Sequence, residues 1–330
     1  MRPRTGPGRH RPPQRAGSAS RRSDRGAALL LAMIVLTLVS TLAAGMVWQQ
    51  SRAVQVEAAE RARAQAAWIL QGALDWARLI LREDARSGGV DSLGEPWATP
   101  LAEARLSTFL AADQNNNVDT GPDAFLSGAI TDAQSRFNLR DLVDDKGQIV
   151  AAELAALQRL CDAAGLASDV APRLAESLQS AWSGGADVGA APLAPDRVAD
   201  LGWLGLDAAT VAQLAPYLSL LPRRTPINAN TASREVLLAA IDGLDLGSAE
   251  RLIQVRQRNP FRNLAEIQRQ LPAGLSADAT RVGVGSAFFD VAGRLRMDGM
   301  VIEQRSLVQR NGLTVTAIRT ERRTLAAASP

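Results

Sequence analysis

The sequence predicts an α+β protein in which a long N-terminal helix packs on an antiparallel sheet and a large helical domain is inserted between the strands. Three observations predict it. Residues 27–86 contain no proline and are apolar, first on all sides and then along one stripe. Residues 140–280 carry apolar positions at i, i+3/4 and i+7, with Gly and Pro between segments. After Arg281 the pattern changes to short β-type runs joined by turn residues.

The 22 uncharged residues from Ala27 to Trp48 form a helix of roughly 33 Å at about 1.5 Å per residue, enough for a bilayer core of about 30 Å. A secretory signal has a shorter apolar region, about 7–15 residues, ending in small residues of the A-x-A type. The arginines before the run place it with a cytoplasmic N-terminus and a body on the far side, and Trp48 sits at the far interface. Beyond it Ala59, Ala62, Ala66, Ile69, Ala73, Trp76 and Ile80 step by alternating three and four residues, an amphipathic stalk that ends at Ser87-Gly88-Gly89. The anchor and stalk imply a rod of about 90 Å. An ordinary single-pass anchor with a helical stalk shares this periodicity.

Charge and rare residues exclude several functions. Of 37 basic and 34 acidic residues, the first 26 positions hold eight arginines and one acid, leaving a body with a net charge of −4. Such a body offers no basic surface for nucleic acid. The single histidine, His10, lies in the basic leader, so no imidazole serves catalysis or metal ligation in the body. Lys146 is the only lysine, in DDKGQ, which is not a phosphate loop. The single cysteine, Cys161, occupies an apolar helical position and reads as a core thiol without an activating base. No active site is legible, and the chain reads as a non-enzyme.

The junction carries the first family signal. A basic leader ending in Arg25-Gly26, followed at once by a long apolar helix, resembles the type IV pilin and pseudopilin class. That resemblance implies cleavage between Gly26 and Ala27 by the prepilin peptidase, N-methylation of Ala27 and retention of the helix. Most pilins carry glutamate at the fifth mature position; here it is Leu31. A carboxylate at membrane depth costs about 2.5–3.5 kcal/mol without a partner, and in the family the partner is the N-terminal amine of the subunit above. The K-type minor pseudopilins of type II secretion lack this acid.

Pro96 and Pro100 in EPWATPL mark a turn, and Phe125–Thr131 of FLSGAITDAQSRFNLRDL reads as the first strand. The EPWA turn and the D-A-Q-S-R-F-N-L run both resemble the K-type pseudopilins. Upstream, Asp113, Asn115, Asn117, Asp119 and Asp123 place oxygens at alternating positions, as a calcium loop does, but without the glycine and glutamate of an EF-hand. The run reads either as a calcium site or as a solvated Asx-rich loop. The family's acidic calcium segment would fall near residues 178–189, where only Trp182 and Asp187 remain suggestive.

The stretch TPINANTASREVLLAAIDGLDLGSAERLIQVRQRNPF resembles a helix–hairpin–helix, SAM-like module, which K-type heads carry inside an inserted α-domain. It reads as a structural module or as a DNA contact. Against the second, the hairpin Gly243–Gly247 is two residues longer than the DNA-binding form, and Asp242 and Asp245 stand where a phosphate would sit. Arg251, Arg256 and Arg258 read as a solvated face. Finally, Asn311-Gly312 signals a hairpin, Ala292-Gly293 an earlier turn, and three antiparallel strands close the chain.

The expected organisation is therefore a leader (1–26), a transmembrane helix (27–48), a stalk (49–90), a first part of the head (91–139), an inserted α-domain (140–280) and C-terminal strands (281–330). The resemblance implies a structural role: capping and starting a periplasmic pseudopilus that drives protein export. It also implies contacts with I- and J-type minor pseudopilins in a tip complex, with other pseudopilins and with the inner-membrane platform. Bacterial inner-membrane placement with a periplasmic body follows from it. The alternative is a membrane-tethered helix–hairpin–helix protein that captures DNA in a DNA-uptake or pilus system.

Overall fold

A computed structural model describes residues 21–110, 123–182, 192–297 and 299–326. The chain falls into two units, residues 1–64 and residues 65–330. Helix α1 (Arg21–Ser87) supplies the described part of the first and enters the second. In the first unit Leu29, Leu31, Ile34, Leu38, Leu42 and Val47 are all exposed on a proline-free helix. It is the one described helix long and apolar enough to cross a membrane.

In the second unit the chain leaves α1 through Gly88, whose φ of +65° stops the helix. A 3₁₀ turn at Pro96–Ala98 follows, then β1 (Leu101–Arg105), α2 (Leu106–Leu110) and β2 (Ala124–Asp132). The inserted helical body comes next. It holds β3 (Phe137–Asn138), α3 (Ala151–Ala163), α4 (Val170–Trp182), α5 (Ala208–Leu214), β4 (Leu218–Ser219), β5 (Ile227–Asn228), α6 (Arg234–Ala240), α7 (Leu246–Arg258), α8 (Leu264–Gln268) and β6 (Val282–Gly283). The chain closes with β7 (Phe288–Met297), β8 (Met300–Asn311) and β9 (Thr314–Ala326). The sheet order β1-β2-β7-β8-β9 is antiparallel throughout. It is a meander interrupted once, between β2 and β7.

One face of the sheet takes the stalk. Leu74, Ala77 and Leu81 pack on Trp97, Ile130, Phe289, Val291, Val308 and Val315. Each buried leucine contributes about 1.5–3 kcal/mol. Trp97 meets Phe289 edge-on at 5.2 Å between ring centres. Where the helix comes closest, Gly128 pairs with Gly293 across β2 and β7. A Cβ on Gly293 would lie 3.3 Å from Leu70 Cδ2, and one on Gly128 only 2.8 Å from the Ala292 carbonyl oxygen. A side chain at Gly128 would collide with backbone, and one at Gly293 would require Leu70 to shift by a few tenths of an ångström.

The inserted body has a core of its own, built from Phe137, Leu157, Leu160, Leu174, Leu237 and Leu252 among others. Four of its helices start where a short polar side chain caps them. Asp207, Ser233, Asp245 and Asn263 accept from the backbone N–H three residues on, at the starts of α5, α6, α7 and α8.

Four expectations need correction. The buried stripe of the stalk is Ala66, Leu70, Leu74, Ala77 and Leu81, one residue round from the expected set. Trp76 is half-exposed. A strand, β1, follows the EPWATP turn and precedes the strand expected to be first. Ala292-Gly293 lies within β7, and the chain turns into β8 through Gly299 (φ +74°), with Met297 paired to Met300; Gly293 faces Leu70. The last hairpin turns at Gly312-Leu313, with Asn311 paired to Thr314 and a φ of +56° at Gly312.

Candidate functional site

The motif residues of the body meet where stalk, sheet and insertion join. Asp132, the last residue of β2, is fully buried. Its carboxylate accepts hydrogen bonds from the Gln134 backbone N–H (2.8 Å), the Asn228 side-chain amide (2.9 Å) and the hydroxyls of Thr231 (2.6 Å) and Ser286 (2.6 Å). Burial raises its pKa above the ordinary carboxylate range, with these four donors opposing. Gln134 donates to the Pro226 carbonyl (2.9 Å) and accepts from the Ala287 N–H (2.6 Å). Asn138 accepts from Leu221 N–H (3.1 Å) and donates to the Arg223 carbonyl (2.8 Å). Arg136 pairs with Asp290. From the INANT run, Asn230 holds Phe261 by both backbone groups, donating to its carbonyl (2.9 Å) and accepting from its N–H (2.8 Å). Both motifs stitch backbone segments distant in sequence. Neither presents a free reactive group.

A second cluster ties in the end of the stalk. Arg310 of β8 donates to Asp84 (2.6 Å), to Asp91 and to the Ser286 carbonyl (2.9 Å), and lies 4.7 Å from the Phe289 ring centre. Asp91 in turn accepts from the Ser286 N–H at 2.6 Å. Burial raises the pKa of Asp84, with Arg310 opposing. Asp84, Asp91 and Glu95 converge closely enough to suggest a metal site. The guanidinium already supplies their cation, and Glu95 is taken up by the Trp97 indole N–H (2.6 Å) and the Ser92 N–H (3.0 Å).

The helix–hairpin–helix stretch is also occupied by its own residues. Gly243 turns the chain with φ +75°. Asp245 caps α7 through the Ser248 N–H at 2.9 Å, and so takes the backbone amide that a phosphate would use. Asp242 pairs with Arg159 (2.5 Å) and Arg281 (3.1 Å). Arg256, expected on a solvated face, is buried and donates to the Ala229 carbonyl at 2.5 Å. Burial lowers its pKa to about 10. Cys161 is buried in the α-domain core, and burial raises its thiol pKa to about 11, well away from nucleophilic use.

The processing residues Gly26 and Ala27 lie on α1, exposed, with open space around Gly26. Leu31 is exposed on the same helix. Of the Asx-rich run, Asp113, Asn115, Asn117 and Asp119 lie outside the described residues, as does Asp187. Asp123 is exposed and faces Arg105 at 3.3 Å. Trp182 packs under Arg140, 4.8 Å from its ring centre. Asp123 is thus the one residue of the Asx-rich run among the described residues. The sequence reading missed Asp132, Arg310, Asp84 and Asp91. An arginine among the apolar residues of SLVQR was the available signal for one of them.

A model of the type II secretion system protein K family matches residues 135–223, and a second matches residues 227–285. Type II secretion system protein K of Pseudomonas aeruginosa is 30% identical, over 82% of this chain and 84% of the relative. The chain belongs to the type II secretion system protein K family. The corresponding proteins of Pectobacterium carotovorum subsp. carotovorum and Klebsiella pneumoniae are 28% and 29% identical and cover 90% and 88% of this chain, with 96% and 94% of their own lengths aligned. A chain of the crystal structure of the GspK-GspI-GspJ complex from enterotoxigenic Escherichia coli has the same fold. Its TM-score is 0.61 at 18% identity, covering 80% of this chain and 98% of that one. The protein is thus a minor pseudopilin of type II secretion.

Two predictions follow from the geometry. Arg310→Met leaves Asp84 and Asp91 side by side without their cation and destabilises the head by about 3–5 kcal/mol; urea unfolding followed by tryptophan fluorescence checks this, and Asp84→Asn on the same background restores part of it. The second concerns Asp141, which accepts from the Thr225 N–H at 3.1 Å and whose pKa burial raises from 3.8 to about 7. Between those values the folded state holds a proton that the unfolded state has released, so stability falls as pH rises from about 4 to about 7. Asp141→Asn keeps the acceptor oxygen, flattens that slope and stabilises the head above pH 7 by on the order of 2 kcal/mol, as melting temperature against pH reports.

Proposed function

We propose that this pseudopilin acts without catalysis, at the tip of the periplasmic pseudopilus, and helps to start its assembly. The insertion, residues 133–287, carries the reading. A pilin filament stacks heads around an axis, and a head enlarged by a whole helical body fits most readily where nothing stacks above it. Leu31 points the same way. A subunit with no neighbour above has no amine to pair with a carboxylate, and an unpaired acid in lipid costs about 2.5–3.5 kcal/mol.

The similar crystal structure is of a complex of GspK with GspI and GspJ. By that likeness the head rests on I- and J-type minor pseudopilins, with further pseudopilins and the inner-membrane platform below. The stalk offers surface for this: Trp68 and Trp76, two helical turns apart, are 77% and 51% exposed. The membrane reading is an inner-membrane span at residues 27–48, with the N-terminus cytoplasmic and the body periplasmic. The prepilin peptidase cuts between Gly26 and Ala27, and Ala27 is then N-methylated. Asp123, held by Arg105, fits calcium poorly, and no step of this role is routed through a metal. The DNA-capture alternative is disfavoured at the hairpin, where Asp245 holds the amide at the start of α7.

Mass spectrometry of membrane-extracted protein is expected to find an N-methylated Ala27 at the N-terminus. An intact Met1, or a cut beyond Trp48, overturns the processing. A label on the head, imaged on sheared filaments, is expected at one end only. Regular label along the shaft would remove the tip assignment while leaving family membership untouched.

A further inference from the structure

The sheet face turned away from the stalk forms a cleft with the inserted body. Its floor is β7–β9 and its far wall includes residues 197–199 and 218–221. The cleft measures about 480 Å³, within the range of about 300–1,000 Å³ typical of ligand sites. Five arginines line it: Arg136, Arg197, Arg305, Arg319 and Arg323.

Their counter-charges do not match them in number. Arg136 is matched by Asp290, and Arg197 by Asp200 at 2.7 Å. Glu321 is then contacted by three guanidinium groups: Arg197 at 2.7 Å, Arg319 at 3.5 Å and Arg323 at 3.9 Å. Arg305 stands directly across the ladder from Glu321, yet it is exposed and makes no ion pair among the described residues. Arg323 is 64% exposed and held only by its long contact. Including Asp200 behind the wall, three acids answer five arginines. The Ser219 hydroxyl, buried in the same wall, has no hydrogen-bond partner either.

Two further features say what kind of anion belongs there. The positive groups are spread over two strands and along β9, so they match a row of carboxylates better than a single compact ion. The cleft also opens onto β9, the last strand of the sheet, whose outer edge is paired with no other described strand. An edge of that kind offers backbone donors and acceptors to an incoming chain. A peptide supplies both partners at once, its main chain for the edge and its side chains for the arginines.

We propose that this cleft is a docking site for an extended acidic segment of a partner protein, laid along β9 with its carboxylates facing Arg305 and Arg323. Glutamates at alternate positions of a strand fall about 6.6–6.8 Å apart on one face, which suits arginines carried by neighbouring strands. The proposal uses the head surface alone and does not depend on placement at the tip.

The test uses the full chain in detergent and a short fluorescent peptide of alternating glutamate and threonine, with its glutamine–threonine counterpart as control. The acidic peptide is expected to bind, with affinity falling as salt rises, and the neutral one not to. Arg305→Glu with Arg323→Glu should weaken binding about tenfold or more at an unchanged melting temperature. Should that pair misfold, Arg305→Gln with Arg323→Gln carries the same comparison with a smaller loss. Equal binding of both peptides, no binding of the acidic one, or binding unaffected by the substitutions each overturns the proposal. Displacement by equimolar inorganic phosphate overturns it in favour of a free-anion site, and stronger competition by single-stranded DNA in favour of nucleic acid.

Discussion

Asp132 carries a carboxyl group into the interior with four neutral donors around it and no ion pair to an arginine. A buried carboxylate is tolerated only where its lone pairs are met, so the donors must arrive together. Gln134 comes from the same turn, Asn228 and Thr231 from the INANT run, and Ser286 from the approach to β7. The inserted body can therefore seat on the sheet in one way. Arg310 extends the same constraint to the stalk, because Asp91 touches both it and Ser286. The position of α1 on the sheet, the register of β2 with β7 and the seat of the helical body all meet within these few side chains.

Most of the architecture was legible because its signals are periodic. A proline-free apolar run, helical stripes in residues 140–280 and alternating β runs after Arg281 each carry many residues with one message. What escaped was decided by single contacts between distant segments. Ala59 and Trp76 look like core positions beside Leu70 and Leu74 in a helical projection, and only the facing sheet, with Gly293 beside Leu70 and Ile130, Phe289 and Val291 in the cluster around Leu74, separates them. Gly293 reads as a turn in isolation because glycine marks turns more often than it clears a path for a helix. β1 is five residues long, lies at an edge and has little alternation to display.

The site residues divided in the same manner. Gly26, Ala27 and Leu31 are proposed from position along a helix alone, which a sequence displays directly. Asp132 lay in a quoted motif, yet its partners are separated from it by up to 154 positions, and no local pattern announces such a meeting. Arg256 illustrates the opposite error. Spacing put it beside Arg258 on a helix end that ordinarily faces water, while its guanidinium turns inward to the Ala229 carbonyl.

Because Asp132 and Phe289 are ladder neighbours, the inserted body leaves the sheet and returns to it at one spot. Topologically it occupies the place of an ordinary hairpin loop, and without it the remaining strands would still run as a plain meander. The host strand nevertheless ends in a buried carboxyl group whose four donors all come from the guest, so cutting the guest out would leave Asp132 with none of its hydrogen bonds rather than a self-sufficient head.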